Sequence, residues 1–437
     1  MKRTVSIMLV AGLLTSLMSG CAGNSGSEKE SQTAEQKASS ISVLVEAGSP
    51  AFDVATQTAS EFEEKTGIKV EIDAVPYSGM YDKLSAEVTS QAGLYDVACV
   101  DTVWLAGLQS GLRPLDDVVT DEIKADFPES LVADGMVDGT MYGLPAWANC
   151  KVLLYRTDLF EDPEEQKNFL AEYGYDLKVP ETWQEYLDVS KFFTRDEDND
   201  GVVDMYGTSL SAKTGGDTVV SFLEMAAQAG GVPLVLDEEN QVLLEQQPYV
   251  DALNHMKTLY DNQVVPAGIF EMAAADHVKM FSEGKLAMAP VWCAMYADAT
   301  NKETSQVADK VGIAVMPAGK AGAGIVAGPF YHVIMKGSQK QDAALEYLRF
   351  INDKNELYIS RGMAGRVSVL EANSEDHPQL KVLLESLQAP MSAPRPKLVQ
   401  WNEIESAINA MIQRVLKGEK GAEEALSELK SEVENML

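Results

Sequence analysis

Carboxylates alternate along one short segment of the chain in a pattern that suits a calcium ion. Oxygen ligands at positions 1, 3, 5, 7 and 9 of this segment come from Asp196, Asp198, Asp200, the Val202 carbonyl and Asp204. Gly201 at position 6 permits the sharp turn of an EF-hand loop, but position 12 is Gly207 where such a loop has a bidentate glutamate. Two interpretations stay open: a structural calcium site completed by water or a distant carboxylate, and an acidic surface turn without an ion.

A cysteine near the N-terminus has the surroundings of a lipidation site. Two basic residues precede the apolar run Val5–Met18, and Ser-Gly stands directly before Cys21. This pattern predicts a bacterial lipoprotein signal peptide over residues 1–20, with the Cys21 thiol acylated after cleavage. Residues 21–40 contain no large apolar residue after the cysteine, so we expect a flexible tether. The body would then be anchored by lipid at the extracellular face of the bacterial cytoplasmic membrane.

Three further cysteines remain in the chain. Because this number is odd, no disulfide framework is expected to hold the fold. Cys99 lies in an apolar run and is expected in the core. A bridge between Cys150 and Cys293 stays open as an alternative, because the compartment would be oxidising.

Composition restricts both the class of protein and its partners. With 437 residues, 46% hydrophobic and 23% charged, the chain is globular and long enough for two lobes. The net charge of −32 excludes nucleic-acid binding, which needs basic surfaces. The same charge disfavours adsorption to anionic lipid, so attachment to a membrane should depend on the lipid anchor.

Strand and helix patterns alternate from residue 41 onward and predict an α/β fold. Strands are expected over Ile41–Val45, Ile68–Val75 and Leu94–Val100, with a helix from Pro50 to Gly67 and another over Tyr77–Gln91. This succession predicts a parallel sheet whose ligands lie beyond the carboxyl ends of the strands. Asp101 follows one of these strands, so its carboxylate is a candidate acceptor for ligand hydroxyl groups.

Later segments are mainly helical. Thr182 and Glu185 form a predicted capping box at a helix start. Further helices are expected over Asp217–Ala229, Tyr249–Asn262, Ala274–Ser282, Lys340–Asn352, Trp401–Leu416 and Ala422–Met436.

An ordered set of short motifs runs through nearly all of residues 41–437. Its members are Phe62–Val70, Tyr95–Val97 with Asp101, Tyr142–Pro145, Leu154–Phe160, Pro180–Trp183, Phe281–Met288 and Ala344–Ile351. In this order they resemble the extracellular solute-binding proteins of sugar ABC importers, of the maltose/oligosaccharide-binding type.

That resemblance implies a two-lobed, periplasmic-binding-protein-like (type II) fold with a hinge and a ligand cleft between the lobes. Lobe one would comprise 41–148 plus 312–355, and lobe two 152–310 plus 356–437. The implied function is a substrate-binding lipoprotein that captures a sugar or oligosaccharide and delivers it to ABC importer permease subunits. Such a protein would be a monomer and no enzyme, and would require no cofactor besides the structural calcium considered above.

The resemblance also places aromatic residues in the cleft, where flat rings would stack on the apolar faces of a sugar. Four of the five tryptophans lie in cleft segments, and each could instead be a core residue. Phe330 stands where the family commonly has a stacking tryptophan, and Arg366 lies in a segment that lacks the usual prolines. The candidate ligand-binding residues are Phe52, Tyr77, Asp101, Trp104, Trp147, Trp292, Phe330, Arg366 and Trp401.

Two other functions remain as alternatives, a surface carbohydrate-binding adhesin and a secreted polysaccharide-cleaving enzyme, which would need only a carboxylate pair. The segment Gly322–Ala327 matches a dinucleotide-binding pattern, but an extended run follows it where that pattern requires a helix. Nucleotide binding is therefore not expected.

Overall fold

The computed structural model of the protein describes residues 38–237 and 239–437. The predicted signal peptide over 1–20, the acylated Cys21 and the tether up to residue 37 lie outside the described residues.

Strands in the described part of the chain group into two main sheets and one hairpin. They are β1 (Ser40–Glu46), β2 (Lys69–Val75), β3 (Val97–Asp101), β4 (Met136–Val137), β5 (Thr140–Met141), β6 (Leu144–Trp147), β7 (Lys151–Arg156), β8 (Met288–Trp292), β9 (Val311–Ala314) and β10 (Phe330–Ile334).

Helices cover both sheets. They are α1 (Pro50–Thr66), α2 (Tyr77–Ser90), α3 (Leu105–Leu108), α4 (Asp121–Lys124), α5 (Glu129–Asp134), α6 (Thr157–Phe160), α7 (Pro163–Tyr173), α8 (Trp183–Phe193), α9 (Gly216–Gln228), α10 (Gln247–Asp261), α11 (Ala274–Ser282), α12 (Tyr296–Ala299), α13 (Gln341–Asn352), α14 (Val367–Asn373), α15 (Pro378–Leu387), α16 (Trp401–Leu416) and α17 (Ala422–Glu434).

The larger sheet has the strand order β2-β1-β3-β10-β6. β1 pairs in parallel with β2 and β3, as predicted, whereas β10 runs antiparallel to both β3 and β6. The predicted parallel pairing is therefore confirmed for the first three strands, and the sheet continues beyond them with antiparallel pairing. The chain enters β10 from the smaller sheet. Parallel neighbouring strands need a crossover connection, usually a helix, and β10 is not joined to its neighbours by one, so it can run antiparallel.

Local signals explain how the first helix is placed at the end of β1. The Ser49 hydroxyl accepts a hydrogen bond from the Phe52 amide, and Pro50 occupies the first turn, where no amide donor is needed. Gly67 ends α1 at φ 75°, a left-handed conformation that glycine adopts without strain. The predicted capping box at the start of α8 is present, with Thr182 and Glu185 each bonding the other's backbone.

The smaller sheet has the order β8-β7-β9, with both neighbours antiparallel to β7. Lys151 on β7 lies directly opposite Trp292 on β8. The chain passes from the larger sheet to the smaller through residues 148–150, and returns through residues 315–329. The start of β10 pairs with the end of β6, and Gly328, just before β10, lies against Trp292 at the end of β8.

The three described cysteines are buried and free. Cys293 donates its backbone N–H to the Cys150 carbonyl at 2.9 Å, but the two thiols form no disulfide. The alternative of a Cys150–Cys293 bridge is therefore wrong. Among the described helices, none combines the length and apolar character needed to cross a membrane.

Candidate functional site

A cavity of about 610 Å³ lies where the two sheets approach each other. Glu46 and Asp101, the last residues of β1 and β3, line it together with Trp147, Trp292 and Phe330. The first residues of α1, α9 and α11 also reach the wall, so that several helix N-termini face the cavity. The cavity thus opens beyond the carboxyl ends of β1 and β3, the place that the sequence pattern indicated. Its volume falls within the range of about 300–1,000 Å³ found for small-molecule pockets.

Aromatic rings form much of the cavity wall. Phe330 stacks on Trp147 with ring centroids 4.8 Å apart and planes 14° from parallel. Tyr77 lies 6.4 Å from the Phe330 ring, and its other side packs on Trp104 at 4.8 Å. Trp292 is half-buried on the smaller sheet and presents its indole to the same space. These rings offer apolar faces inside a cavity that also contains charged groups.

Asp101 is the centre of a buried hydrogen-bond network. Its carboxylate accepts from the Tyr77 hydroxyl at 2.9 Å and from Arg395 Nη2 at 2.6 Å. Burial and the charge of Asp101 raise the pKa of the Tyr77 hydroxyl, which therefore stays protonated and donates. Arg395 is buried and lines the cavity, and its Nε has no hydrogen-bond partner among the described residues. The guanidinium therefore borders the cavity, while its Nε is enclosed by protein.

Glu46 differs from Asp101 although the two end adjacent strands. The Glu46 carboxylate has no cation or hydrogen-bond donor among the described side chains. Burial and the nearby charge of Asp101 raise the pKa of Glu46 to about 7. Near neutral pH this group can therefore donate or accept a hydrogen bond.

Asp217, in the first turn of α9, anchors the opposite wall. One of its oxygens, Oδ1, accepts from Trp292 Nε1 at 2.8 Å and also from Lys151, and the other accepts from the Ser211 hydroxyl. Burial acts to raise the pKa of Asp217, but the Lys151 ammonium and these donors hold it below its usual range. The carboxylate is therefore ionised at neutral pH.

The structure brings five of the nine predicted ligand-binding residues to this cavity. They are Tyr77, Asp101, Trp147, Trp292 and Phe330. Trp104 is 3% exposed and lies behind Tyr77, and Phe52 is half-buried on α1 against the core of the larger sheet. Neither of these two side chains lines the cavity.

The other two predicted residues lie elsewhere. Trp401 is 1% exposed, at the start of α16, in the same apolar cluster as Ile404 and Ile408. Arg366 lines a separate cavity of about 330 Å³ and donates to Asp126 at 2.5 Å. The guanidinium that the sequence reading placed at Arg366 is supplied to the main cavity by Arg395.

Several polar residues of the cavity were missed by sequence reasoning. Glu46 ends a predicted strand just as Asp101 does, so the same argument could have found it. Arg395 stands between two prolines in a segment without clear periodicity, and it meets Asp101 from 294 positions away. Lys151 and Asp217 carry no local signal of their pairing, because only the tertiary fold brings them together.

The acidic loop of residues 196–204 lies apart from the cavity. Carboxylate oxygens of Asp196, Asp198 and Asp204 lie within 4.8 Å of one another, and these three aspartates and Asp200 all accept hydrogen bonds from backbone amides of the loop. A Cβ at Gly207 would stand 1.9 Å from the Ser190 carbonyl oxygen. The backbone there leaves no room for a glutamate at position 12, so the site offers three clustered carboxylates and no bidentate ligand from that position.

Comparison with known proteins identifies a family for this chain. The family model described as bacterial extracellular solute-binding protein matches residues 38–354. A putative binding protein of Brucella abortus is 26% identical over 296 residues, and the match covers 67% of this chain and 66% of the relative. The match therefore spans slightly less than two thirds of that relative's length. The diacetylchitobiose binding protein DasA of Streptomyces coelicolor is 22% identical, over 97% of this chain and 96% of that protein.

Among solved structures, maltose-bound MalE3 of T. maritima matches with a TM-score of 0.78 at 24% identity, covering 91% of this chain and all of that chain. This likeness confirms the predicted fold class, an α/β fold of the two-lobed periplasmic-binding-protein type. The family consists of binding proteins, which is the class that the sequence predicted in preference to enzymes. The chain belongs to the family of bacterial extracellular solute-binding proteins.

Proposed function

We propose that the protein captures a sugar or oligosaccharide outside the cell and delivers it to the permease of an ABC importer. The observation that carries the proposal is the cavity, in which aromatic rings and hydrogen-bonding side chains line one space. A sugar ring has apolar C–H faces and a rim of hydroxyl groups, so it needs both kinds of contact at once. The names of relatives support the same ligand class, since one binds diacetylchitobiose and a structural neighbour holds maltose.

Each part of the cavity has a role in this proposal. Trp292 and Phe330 would contact the ring faces, and Trp147, which is only 3% exposed, would support Phe330 from behind. The Arg395 guanidinium would donate to a ring or hydroxyl oxygen, and Glu46 would exchange hydrogen bonds with hydroxyl groups. Asp101 and Tyr77 would hold Arg395 and complete the polar side of the cavity. Such contacts bind and orient a ligand without any bond being broken.

The two sheets would belong to two lobes that close over the ligand, and the permease would recognise the closed form. We retain the predicted lobes with one change. β9 pairs with β7 of the smaller sheet, so residues 312–314 are assigned to lobe two. Residues 330–355 stay with lobe one, because β10 is part of the larger sheet, whereas Ala318 and Ala321 form backbone hydrogen bonds with residues of lobe two.

A ligand panel tests the proposed function. Isothermal titration with neutral monosaccharides, oligosaccharides, uronates and polyols should yield one class that binds with micromolar affinity or tighter, roughly −8 kcal/mol. Amino acids, peptides and polyamines serve as the comparison set. Binding confined to that set would overturn the carbohydrate assignment, and the appearance of shortened products in the oligosaccharide samples would favour the enzyme alternative.

We also propose that Cys21 carries a lipid and that the body is a monomer held at the outer face of the cytoplasmic membrane. The support is the signal pattern around Cys21 and a net charge of −32 that gives anionic lipid no attraction. In a bacterial host, the intact protein should fractionate with membranes and incorporate labelled palmitate. Cys21→Ser should abolish both properties. Incorporation of palmitate label into the Cys21→Ser variant would refute the assignment of Cys21 as the lipidation site.

A structural calcium at the loop of residues 196–204 is the last part of the proposal. The support is the EF-hand-like spacing and the clustering of Asp196, Asp198 and Asp204. Calcium bound only by the native state would raise its stability, so a chelator should lower the melting temperature and added calcium should restore it. Asp198→Asn should remove this response while sugar affinity is retained. A melting temperature that ignores both reagents would identify the loop as an acidic turn.

A further inference from the structure

The Trp292 indole is held in place by contacts on several sides. Its Nε1 donates to Asp217 Oδ1 at 2.8 Å, and the Lys151 ammonium lies 5.1 Å from its ring centroid. At another edge of the ring, a Cβ on Gly328 would stand 2.9 Å from Cζ3, so the backbone reaches the ring as closely as glycine allows. The ring has little freedom to tilt or slide within these contacts.

Asp217 is itself fixed by buried partners. Lys151 forms an ion pair with it and has a side chain only 3% exposed, and Ser211 donates to the second carboxylate oxygen. Lys151 lies opposite Trp292 in the β7–β8 register, so lysine, carboxylate and indole form a closed set of contacts. Moving the carboxylate would leave a buried ammonium uncompensated, which is strongly unfavourable.

We infer that Asp217 is a positioning residue that fixes the Trp292 indole as a rigid stacking face for an uncharged ring of a polyhydroxylated ligand. This inference rests on the proposed function. A ring that is already immobile in the free protein loses little conformational entropy on binding, and that saving appears as affinity. Lys151 acts through Asp217 by holding its carboxylate, and Gly328 acts by its lack of a side chain.

Asp217 could instead act as a direct acceptor for ligand hydroxyl groups, since it also lines the cavity. A carboxylate has about four acceptor positions, and three donors are already present, so one position remains. The two roles make different predictions when Asp217 and Trp292 are changed together. A positioning residue loses its effect once the indole N–H is gone, whereas a direct ligand contact does not.

A double-mutant cycle on the full chain distinguishes the two roles. Asp217→Asn and Trp292→Phe are measured singly and together by isothermal titration with the tightest-binding sugar of the panel. We expect each single change to weaken affinity by about tenfold, and the double variant to be no weaker than the weaker single variant. If the loss of affinity in the double variant equals the product of the two single losses, Asp217 and Trp292 act independently and the inference is wrong.

A second readout needs no ligand. With 5-fluorotryptophan incorporated, the five tryptophans give separate fluorine NMR signals, and Trp292→Phe assigns the one of interest. Asp217→Asn should shift or broaden that signal while the distant Trp183 signal stays unchanged. An unchanged Trp292 signal in Asp217→Asn would contradict the positioning role even if sugar binding is normal. If the wild-type protein bound no sugar at all, the proposed function would be contradicted instead. Failure of the inference and failure of the proposed function are therefore distinguishable.

Gly328→Ala provides a variant that leaves the buried ion pair intact, in case Asp217→Asn does not fold. The added methyl would displace the ring at Cζ3, so affinity should fall by about tenfold in the wild-type background. In a Trp292→Ala background the same change should have little effect, because the ring it displaces is absent. Equal losses in both backgrounds would overturn the inference.

Discussion

At the scale of single residues, the cavity shows how two carboxylates on adjacent strand ends acquire different properties. Asp101 meets a guanidinium and a phenol, whereas Glu46 meets neither a cation nor a donor among the described residues. The raised pKa of Glu46, about 7, follows from burial and from the charge of Asp101. The folded state thus retains a proton on Glu46 at pH values where the unfolded chain has released it.

The sign of the pH dependence follows from this proton. The contribution of Glu46 to stability is most favourable below its ordinary pKa near 4.5 and is lost as the pH rises through about 7. Glu46→Gln removes the ionisable group, so it should raise the free energy of unfolding at pH 8 by about 2 kcal/mol more than at pH 5. Urea denaturation at the two pH values measures the difference. Glu64→Gln, at an exposed position of α1, is the control. Equal pH dependence of stability in the two variants would contradict the raised pKa of Glu46.

At the scale of elements, α16 shows the difference between a residue that packs and one that binds. Trp401, on the buried face of α16, is predicted to act as a core residue. Trp401→Ala should therefore lower the free energy of unfolding by about 3–5 kcal/mol and leave the sugar affinity of the folded fraction nearly unchanged. Trp292→Ala should instead weaken sugar affinity by roughly 1–3 kcal/mol and have little effect on stability. Thermal unfolding and titration of the pair give both quantities, and a loss of affinity in folded Trp401→Ala would place that ring in the site.

The elements themselves follow closely from the sequence. α11 and α16 have the predicted bounds, and the capping box of α8 forms as its residue pattern indicated. Periodicity and capping act within one segment, so they can be read locally. The direction of β10 and the partners of Arg395 depend on how distant segments meet, and no local pattern encodes that. For the same reason the sequence could name the tryptophans but could not separate Trp292 from Trp401.

At the scale of the whole molecule, the Arg395–Asp101 ion pair joins a late segment to the larger sheet. Both side chains are almost fully buried, with 4% and 6% exposed. Arg395→Met would leave the Asp101 carboxylate buried without its cation, which should cost about 3–5 kcal/mol of unfolding free energy in ligand-free protein. Arg361→Met is the matched control, because its pair with Asp53 is more accessible to solvent, with side chains 38% and 27% exposed, and should contribute at most about 1 kcal/mol. Denaturant unfolding of both variants measures the contrast, and similar small losses would show that the buried pair adds no stability.

Carbohydrate binding in the cavity between the two sheets would be visible in a crystal structure with the tightest-binding sugar. We expect a sugar ring against the Trp292 indole, with an oxygen within hydrogen-bonding distance of the Arg395 guanidinium and hydroxyl groups beside Glu46. The indole should keep its hydrogen bond to Asp217. A sugar bound elsewhere, for example in the smaller cavity beside Arg366, with the main cavity filled only by water, would show that the main cavity is not the binding site.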